Sequence, residues 1–327
     1  MTHSYISRGL PFLPAVLVAV LACIASTAVI AQSYPDRPVR IVVPFSAGGP
    51  NDILARAVGM KLGERLGEQV IVDNRPGGGT VIGTDIAAHS PADGYTLLMA
   101  STSHSVNPTL KKNLPYDQKK DLDLLVLMAD APNLAVVHPS LPVKSIRQLI
   151  ALAKSRPGEL AYSSGGVGAS THLAGASLSS MAGIKMIHVA YKGGAPATRG
   201  LIGGEVAWMF GTFLPTIPHV RAGRLRVIAT GGVKRTAVLP KVPTVAETVA
   251  GFKSVGWWGM MLPAGVPQPI VDRLNKDINA SLVDLREQFL RDGTEVIGGS
   301  PADFQKFFDS EIVKWAGVIK TVGLKPN

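Results

Sequence analysis

Short β-branched runs alternate with amphipathic segments from residue 39 to residue 228, and this alternation restricts the chain to a small group of folds. Strands separated by helices in this rhythm are typical of sheets whose faces are covered by helices. Strands are predicted at residues 39–43, 69–72, 96–100, 160–162, 186–190, 206–210 and 226–230. The sequence therefore predicts an α/β protein with parallel sheets.

The end of the chain has a different pattern, because residues 266–292 and 301–322 are predicted to be two long helices. Ser300 is expected to cap the second of them, with Pro301 at its first position. These helices have no strands of their own to cover, so they are expected to return to the first sheet. We therefore predict a discontinuous first lobe, residues 32–132 plus 250–327, around a second lobe, residues 133–249. Two chain crossings then form a hinge, with a ligand cleft between the lobes.

The N-terminus predicts export. Arg8 is the only charged residue before an apolar run over residues 12–30, and Val29 and Ala31 provide the small residues that a signal peptidase selects. Residues 1–31 are therefore predicted to be a signal peptide, cleaved after Ala31, which places the mature chain in the periplasm. A retained N-terminal anchor and lipidation at Cys23 are the alternatives.

Composition excludes several classes of function. Cys23 is the only cysteine, so the mature chain has no thiol for a nucleophile, a thiolate zinc site or a disulfide scaffold. The net charge is +10, but the basic residues are scattered among acids without interleaved aromatics, which argues against nucleic acid and favours small anions. Hydrolase and metal motifs are missing as well. We expect no enzyme activity, cofactor or metal; a dispersed serine–histidine hydrolase is the alternative.

Polar and glycine-rich loops follow the predicted strands, where ligands bind in open α/β sheets. Glycines let the backbone approach a ligand, and amides at a helix start attract anions. The alternative for each loop is an ordinary turn or helix cap. The candidate residues are Phe45, Ser46, Ala47, Gly48, Gly49, Gly78, Gly79, Thr80, Ser101, Thr102, Ser103, Ser164, Ala169, Ser170, Tyr191, Lys192, Gly193 and Thr212.

Five stretches together carry a family resemblance: residues 34–52, 74–83, 93–98, 188–194 and 239–247. With them the chain resembles the Bug-type receptors of tripartite tricarboxylate transporters. The resemblance implies a Venus-flytrap, periplasmic-binding-protein fold that captures a carboxylated metabolite as a monomer. It also implies delivery of that ligand to a membrane permease, with a sensor kinase as the alternative partner.

The resemblance also implies how the loops are used. Residues 45–49 and 78–80 would hold a carboxylate through backbone amides and ordered water, with residues 101–103 alongside. Ser164, Ala169, Ser170, Tyr191 and Lys192 would close from the second lobe. Gly211 and Thr212 stand where the family often has an Asp-Asn pair. Without an acid there to pair with a ligand ammonium, we expect a dicarboxylate, a hydroxy acid or an aromatic carboxylate rather than an amino acid.

Overall fold

The computed structural model describes Met1 and residues 34–326, and the compact unit that begins at Arg37 contains the elements below. The strands are β1 (Val39–Val43), β2 (Val70–Asn74), β3 (Thr96–Ser101), β4 (Leu122–Pro132), β5 (Leu134–Val137), β6 (Ala161–Ser164), β7 (Ile187–Ala190), β8 (Trp208–Gly211), β9 (Arg226–Thr230), β10 (Val255–Pro263) and β11 (Glu295–Val296). The helices are α1 (Pro50–Leu66), α2 (Val81–Ala88), α3 (Thr102–Leu110), α4 (Ile146–Ser155), α5 (Ser170–Ala182), α6 (Gly194–Ile202), α7 (Phe213–Arg221), α8 (Gln268–Arg291) and α9 (Pro301–Val322). The α/β class is confirmed. The predicted signal peptide and Cys23 lie outside the described residues.

The strands form two sheets. The first has the order β11-β4-β10-β3-β1-β2, and the second has the order β7-β6-β8-β5-β9. Only the pairs of β1 with β2 and β3, and of β6 with β7 and β8, are parallel. The other pairs are antiparallel, so the prediction of parallel sheets was wrong in this respect.

The antiparallel pairs involve β4, β5, β10 and β11, none of which was predicted. The longest of them, β4 and β10, are buried along most of their length, so they have no alternation of polar and apolar residues that would indicate a strand. The expectation that the C-terminal stretch contains no strand was therefore also wrong. Within the described residues, no helix is long and apolar enough to cross a membrane.

Helix α1 follows β1 directly and has one buried face. Leu54, Val58 and Leu62 are fully buried on it. Gly67 ends the helix with a φ of 76°, and its amide donates to the Gly63 carbonyl at 3.0 Å. A left-handed residue at this place favours glycine.

Both C-terminal helices pack on the first sheet. Phe304 and Phe308 of α9 contact Trp257 edge-on, with ring centroids 5.7 and 5.9 Å apart. The three side chains are almost completely buried, and such aromatic burial is a large part of the apolar surface that holds this helix.

Replacing Ser300 with alanine is expected to lower the free energy of unfolding by about 1 kcal/mol. The Ser300 hydroxyl accepts the Asp303 amide at 3.2 Å, and the Asp303 carboxylate accepts the Ser300 amide at 3.2 Å, a reciprocal cap at the start of α9. Urea unfolding of Ser300→Ala measures the change. Ser300→Thr, which keeps the accepting oxygen, is the control; equal losses in both variants would contradict the role of the cap.

The chain crosses between the sheets where β4 passes into β5 and again before β10. Asn133 and Ser254 lie at these crossings, and the Asn133 side-chain amide donates to the Ser254 hydroxyl at 2.7 Å. The Asn133 backbone amide donates to the Ser254 carbonyl at 3.0 Å. Gly231, just after β9, donates to the Asn133 carbonyl and accepts from the Ser254 amide. The crossings are thus joined by a short, buried hydrogen-bond network.

One apolar cluster joins the helices of the two sheets, and we call it the seam cluster. Leu173 of α5, which packs on the second sheet, contacts side chains of α3 and α9, which pack on the first. The members on α3 and α9 are Val106, Leu110, Trp315 and Ile319. All five side chains are at most 3% exposed.

Candidate functional site

Two cavities lie between the sheets, at the ends of strands from both. The inner cavity has a volume of about 40 Å³ and the outer cavity about 300 Å³. Phe45 and Gly165 line both, so the cavities are neighbours separated by these two residues. At about 10 to 15 Å³ for each water, the inner cavity has room for about three waters, or for one carboxylate group.

The polar groups that line the inner cavity include hydroxyls and one side-chain amide, beside the rings of Phe45, Trp257 and Trp258. The Trp258 indole donates to the side-chain oxygen of Asn51, Oδ1, at 3.3 Å. The side-chain nitrogen of Asn51, Nδ2, has no partner among the described residues. The Thr212 hydroxyl is also buried and unpaired among them. Buried donors that lack a protein partner are costly, so these atoms are poised to bind a ligand oxygen or water.

The outer cavity carries positive charge. Lys111 and Lys192 both line it, and neither is in an ion pair with another described residue. Its wall contains neither aspartate nor glutamate, and the same is true of the inner cavity. Tyr191 contributes to the wall, while its hydroxyl donates to Glu205 at 2.6 Å.

The glycine turn before α2 forms one side of the outer cavity. Residues 77 to 80 all have positive φ, with values of 137°, 61°, 67° and 85°. Glycine adopts this region without strain, but Thr80 does not. The Asn107 side chain holds it there, donating to the Thr80 hydroxyl at 3.0 Å and to the Gly79 carbonyl at 3.1 Å.

The loop after β1 and the loop after β7 meet across the cleft. The backbone amide and the hydroxyl of Ser46 both donate to the Lys192 carbonyl, at 3.1 and 2.7 Å. Gly49 and Gly193 lie in the same tight contact, where an added Cβ would approach the opposite loop. Ala47 and Gly48 are exposed at its edge. Ser46, Gly49 and Gly193 therefore lie in the contact between the loops, and none of these five predicted residues lines either cavity.

Asp52 fixes the shape of the first loop. Its carboxylate accepts the Gly48 amide at 2.9 Å and pairs with Arg56 at 2.9 Å. Burial raises the pKa of Asp52, but the hydrogen bonds from Arg56 and Gly48 more than offset this and hold the pKa below its ordinary value. Asp52, the acid beside this loop, is therefore already paired with a cation of the protein.

Ser164 is engaged inside the second lobe. Its hydroxyl lies 2.6 Å from His188 Nε2, and the His188 ring stacks on His172 with centroids 4.0 Å apart. Burial lowers the pKa of His172 to about 3 and that of His188 to about 4. Both rings are therefore neutral at pH 7 and structural. Ser164 lines neither cavity.

The remaining predicted residues do meet in the cleft. Those that line the inner cavity are Phe45, Ser101, Thr102, Ser103, Ala169, Ser170 and Thr212. Those that line the outer cavity are Phe45, Gly78, Gly79, Thr80, Tyr191 and Lys192.

Fourteen residues that line the cavities were not predicted, and they include Asn51, Lys111, Gly165 and Trp258. The ordinary roles of a helix cap and of aromatic packing gave no reason to select Asn51 or Trp258, while Gly165 lies between the candidates Ser164 and Ala169. Lys111 follows a helix instead of a strand, so a search of the loops after strands does not reach it. The one feature of the sequence that points to Lys111 as a cavity residue is its position directly after α3.

Known proteins match the chain over nearly its full length. A family model described as "Tripartite tricarboxylate transporter family receptor" matches residues 54–324. Protein BugT of Bordetella pertussis is 36% identical over 319 residues, covering 94% of this chain and 98% of BugT. The structure of R. palustris Rpa4515 with adipate has a TM-score of 0.88 at 36% identity, covering 90% of this chain and 100% of that one. The periplasmic binding protein BugD has a TM-score of 0.87 at 33% identity, with coverage of 90% and 100%.

Proposed function

Because the chain belongs to the tripartite tricarboxylate transporter receptor family, whose members are periplasmic solute-binding proteins and not enzymes, we propose that it captures a small carboxylate without an amino group. In this proposal the signal peptide ends near Ala31, and the mature chain works as a monomer that delivers its ligand to a membrane permease. The lobes are residues 32–132 plus 250–327 and residues 133–249.

The choice of a carboxylate as the ligand rests on the charge of the cavity walls. The polar groups that line the cavities include amides, hydroxyls and two lysines, and no acid lines them. A carboxylate accepts hydrogen bonds from all of these groups, whereas a ligand ammonium would have no anionic partner. The solved relative with adipate supports a carboxylate without an amino group. Dicarboxylates, hydroxy acids and aromatic carboxylates remain within the proposal.

The mechanism is closure of the two lobes on the ligand. Cavity residues come from both sheets, since Asn51 follows β1 and Thr212 follows β8. A ligand that contacts both sets gains free energy only when the lobes are together, so it shifts the population toward the closed form. The network of Asn133, Gly231 and Ser254 then serves as the hinge.

Screening carboxylates against amino acids tests the ligand class. A carboxylate present at 100 times its dissociation constant is expected to add about 2.7 kcal/mol to the free energy of unfolding and to raise the Tm by about 5 °C or more. Small-angle scattering with the same ligand is expected to show a smaller radius of gyration. Tight binding of aspartate or glutamate, with no binding of any non-amino carboxylate, would overturn the proposal.

A further inference from the structure

The outer cavity has features that the capture of one carboxylate leaves unused. The inner cavity, at about 40 Å³, is filled by a single carboxylate group. Phe45 and Gly165 line both cavities, so the outer cavity is the neighbouring space for the rest of a ligand held at the inner cavity. That space is about 300 Å³, and its two charged wall residues are both cations.

The two lysines enter the outer cavity from opposite sides of the cleft. Lys111 follows α3, which packs on the first sheet, and Lys192 follows β7 of the second. An added Cβ on Gly79 would lie 3.7 Å from Lys111 Cε and 4.0 Å from Nζ, which places the ammonium beside the glycine turn. Lys111 is half-buried and Lys192 is exposed.

The charges around this cavity are not balanced by the protein. Within the described residues, neither ammonium has a carboxylate within 4.0 Å, and Glu205, which Tyr191 contacts, lines neither cavity. Two unpaired cations facing one cavity lower the free energy of an anion placed between them. A neutral ligand tail would lack this charge attraction.

We infer that Lys111 and Lys192 form a subsite for a second acidic group, so that the receptor selects dianions whose first carboxylate occupies the inner cavity. This inference rests on the proposed capture of a carboxylate and adds the part of the ligand that the outer cavity recognises. Because one lysine comes from each side of the cleft, the second acidic group also contributes to closure. Lys111 contributes more than Lys192, because a half-buried charge is screened less by water and salt.

Calorimetry with matched ligands tests the subsite. The ligands are the linear dicarboxylates of four, six and eight carbons, and the monoamide of each, which keeps the length and removes one charge. In the wild-type protein the best dicarboxylate is expected to bind at least about 10-fold more tightly than its monoamide. Lys111→Gln is expected to weaken the dicarboxylate about 10-fold, and Lys192→Gln about 3-fold.

The monoamide is the internal reference, since its affinity is expected to change by less than about 2-fold in either variant. Lys112→Gln is the matched control: it removes the same charge one residue further along, at an exposed side chain that lines neither cavity. It is expected to leave both affinities unchanged. Urea unfolding verifies that each variant is folded.

The outcomes separate this inference from the proposed function. If Lys111→Gln weakens the dicarboxylate and the monoamide equally, or weakens neither, the subsite is refuted while carboxylate capture stands. The same conclusion follows if the monoamides bind the wild type as tightly as the diacids. If calorimetry detects no binding of any of these carboxylates, nor of hydroxy or aromatic acids, the proposed function fails and the subsite fails with it.

Discussion

Replacing Gly165 with leucine is expected to weaken carboxylate binding by about 100-fold or more while leaving the protein folded. Gly165 lines both cavities, and an added Cβ would lie 3.4 Å from the Gly194 amide nitrogen and 3.5 Å from the Gly193 carbonyl carbon. Its φ is not in the left-handed region, so the backbone accepts a side chain. The added atoms would occupy the passage between the cavities and hold the lobes apart. Calorimetry with the best ligand of the screen measures the loss.

The control is a glycine in open surroundings. Gly317 lies on the exposed side of α9, no heavy atom comes within 4 Å of an added Cβ, and it is remote from the cavities. Gly317→Leu is expected to bind as the wild type does. If Gly165→Leu is folded by circular dichroism and binds within about 5-fold of the wild type, the ligand does not pass through this region.

Acidification from pH 7.5 to pH 4.5 is expected to lower the free energy of unfolding by about 3 kcal/mol or more. His104 is fully buried and His172 is 4% exposed. Burial lowers the pKa of His104 from 6.5 to about 4 and that of His172 to about 3. Between pH 6.5 and these values the unfolded chain binds protons that the folded chain does not, so stability falls as the pH falls. Each histidine contributes up to about 1.4 kcal/mol per pH unit.

One carboxylate acts in the opposite direction. Burial, together with the charge of Glu295, raises the pKa of Asp130 to about 6. Below pH 6 the folded state therefore binds a proton at Asp130 before the unfolded state does, which offsets part of the loss from the histidines. The free energy of unfolding is still expected to fall, because the loss from two buried imidazoles is larger than the gain from one partly exposed carboxylate.

Urea unfolding between pH 7.5 and pH 4.5, followed by tryptophan fluorescence, measures this dependence. His172→Asn removes one titrating ring, and its plot of unfolding free energy against pH is expected to be flatter by up to about 1.4 kcal/mol per unit below pH 6.5. Above pH 7 the wild-type plot is expected to be level. A variant with the same slope as the wild type would show that His172 is protonated in the folded protein.

Much of the fold could be predicted from local pattern. Strand β1 and helix α9 have the predicted bounds, and Ser300 acts as the predicted cap. These features depend on contacts between residues that are close in sequence, where periodicity and turn chemistry are informative. Strands β4 and β10 could not be predicted in this way. They are buried on both faces, and their antiparallel pairing joins residues more than a hundred positions apart.

The candidate site was predictable to a similar extent. The rule that ligands lie beyond strand ends identified Phe45, Thr80, Ser170 and Thr212, which do line the cavities. The rule cannot distinguish a residue that lines a cavity from one that joins the two loops, as Ser46 does, because the opposite loop is distant in sequence. It cannot find Lys111 either, since the position of that side chain depends on how α3 packs across the cleft.

The seam cluster bears on how affinity is set in this receptor. If the lobes close on the ligand as proposed, opening them separates Leu173 from Trp315 and its neighbours, and exposing that apolar surface costs about 25 cal/mol for each Å². Before any ligand arrives, the cluster therefore sets the fraction of molecules that are binding-competent. The apparent dissociation constant is the intrinsic constant divided by that fraction, for every ligand alike. Substitutions in the seam can thus tune the concentration at which the receptor loads, while the cavity walls alone determine which anion it selects.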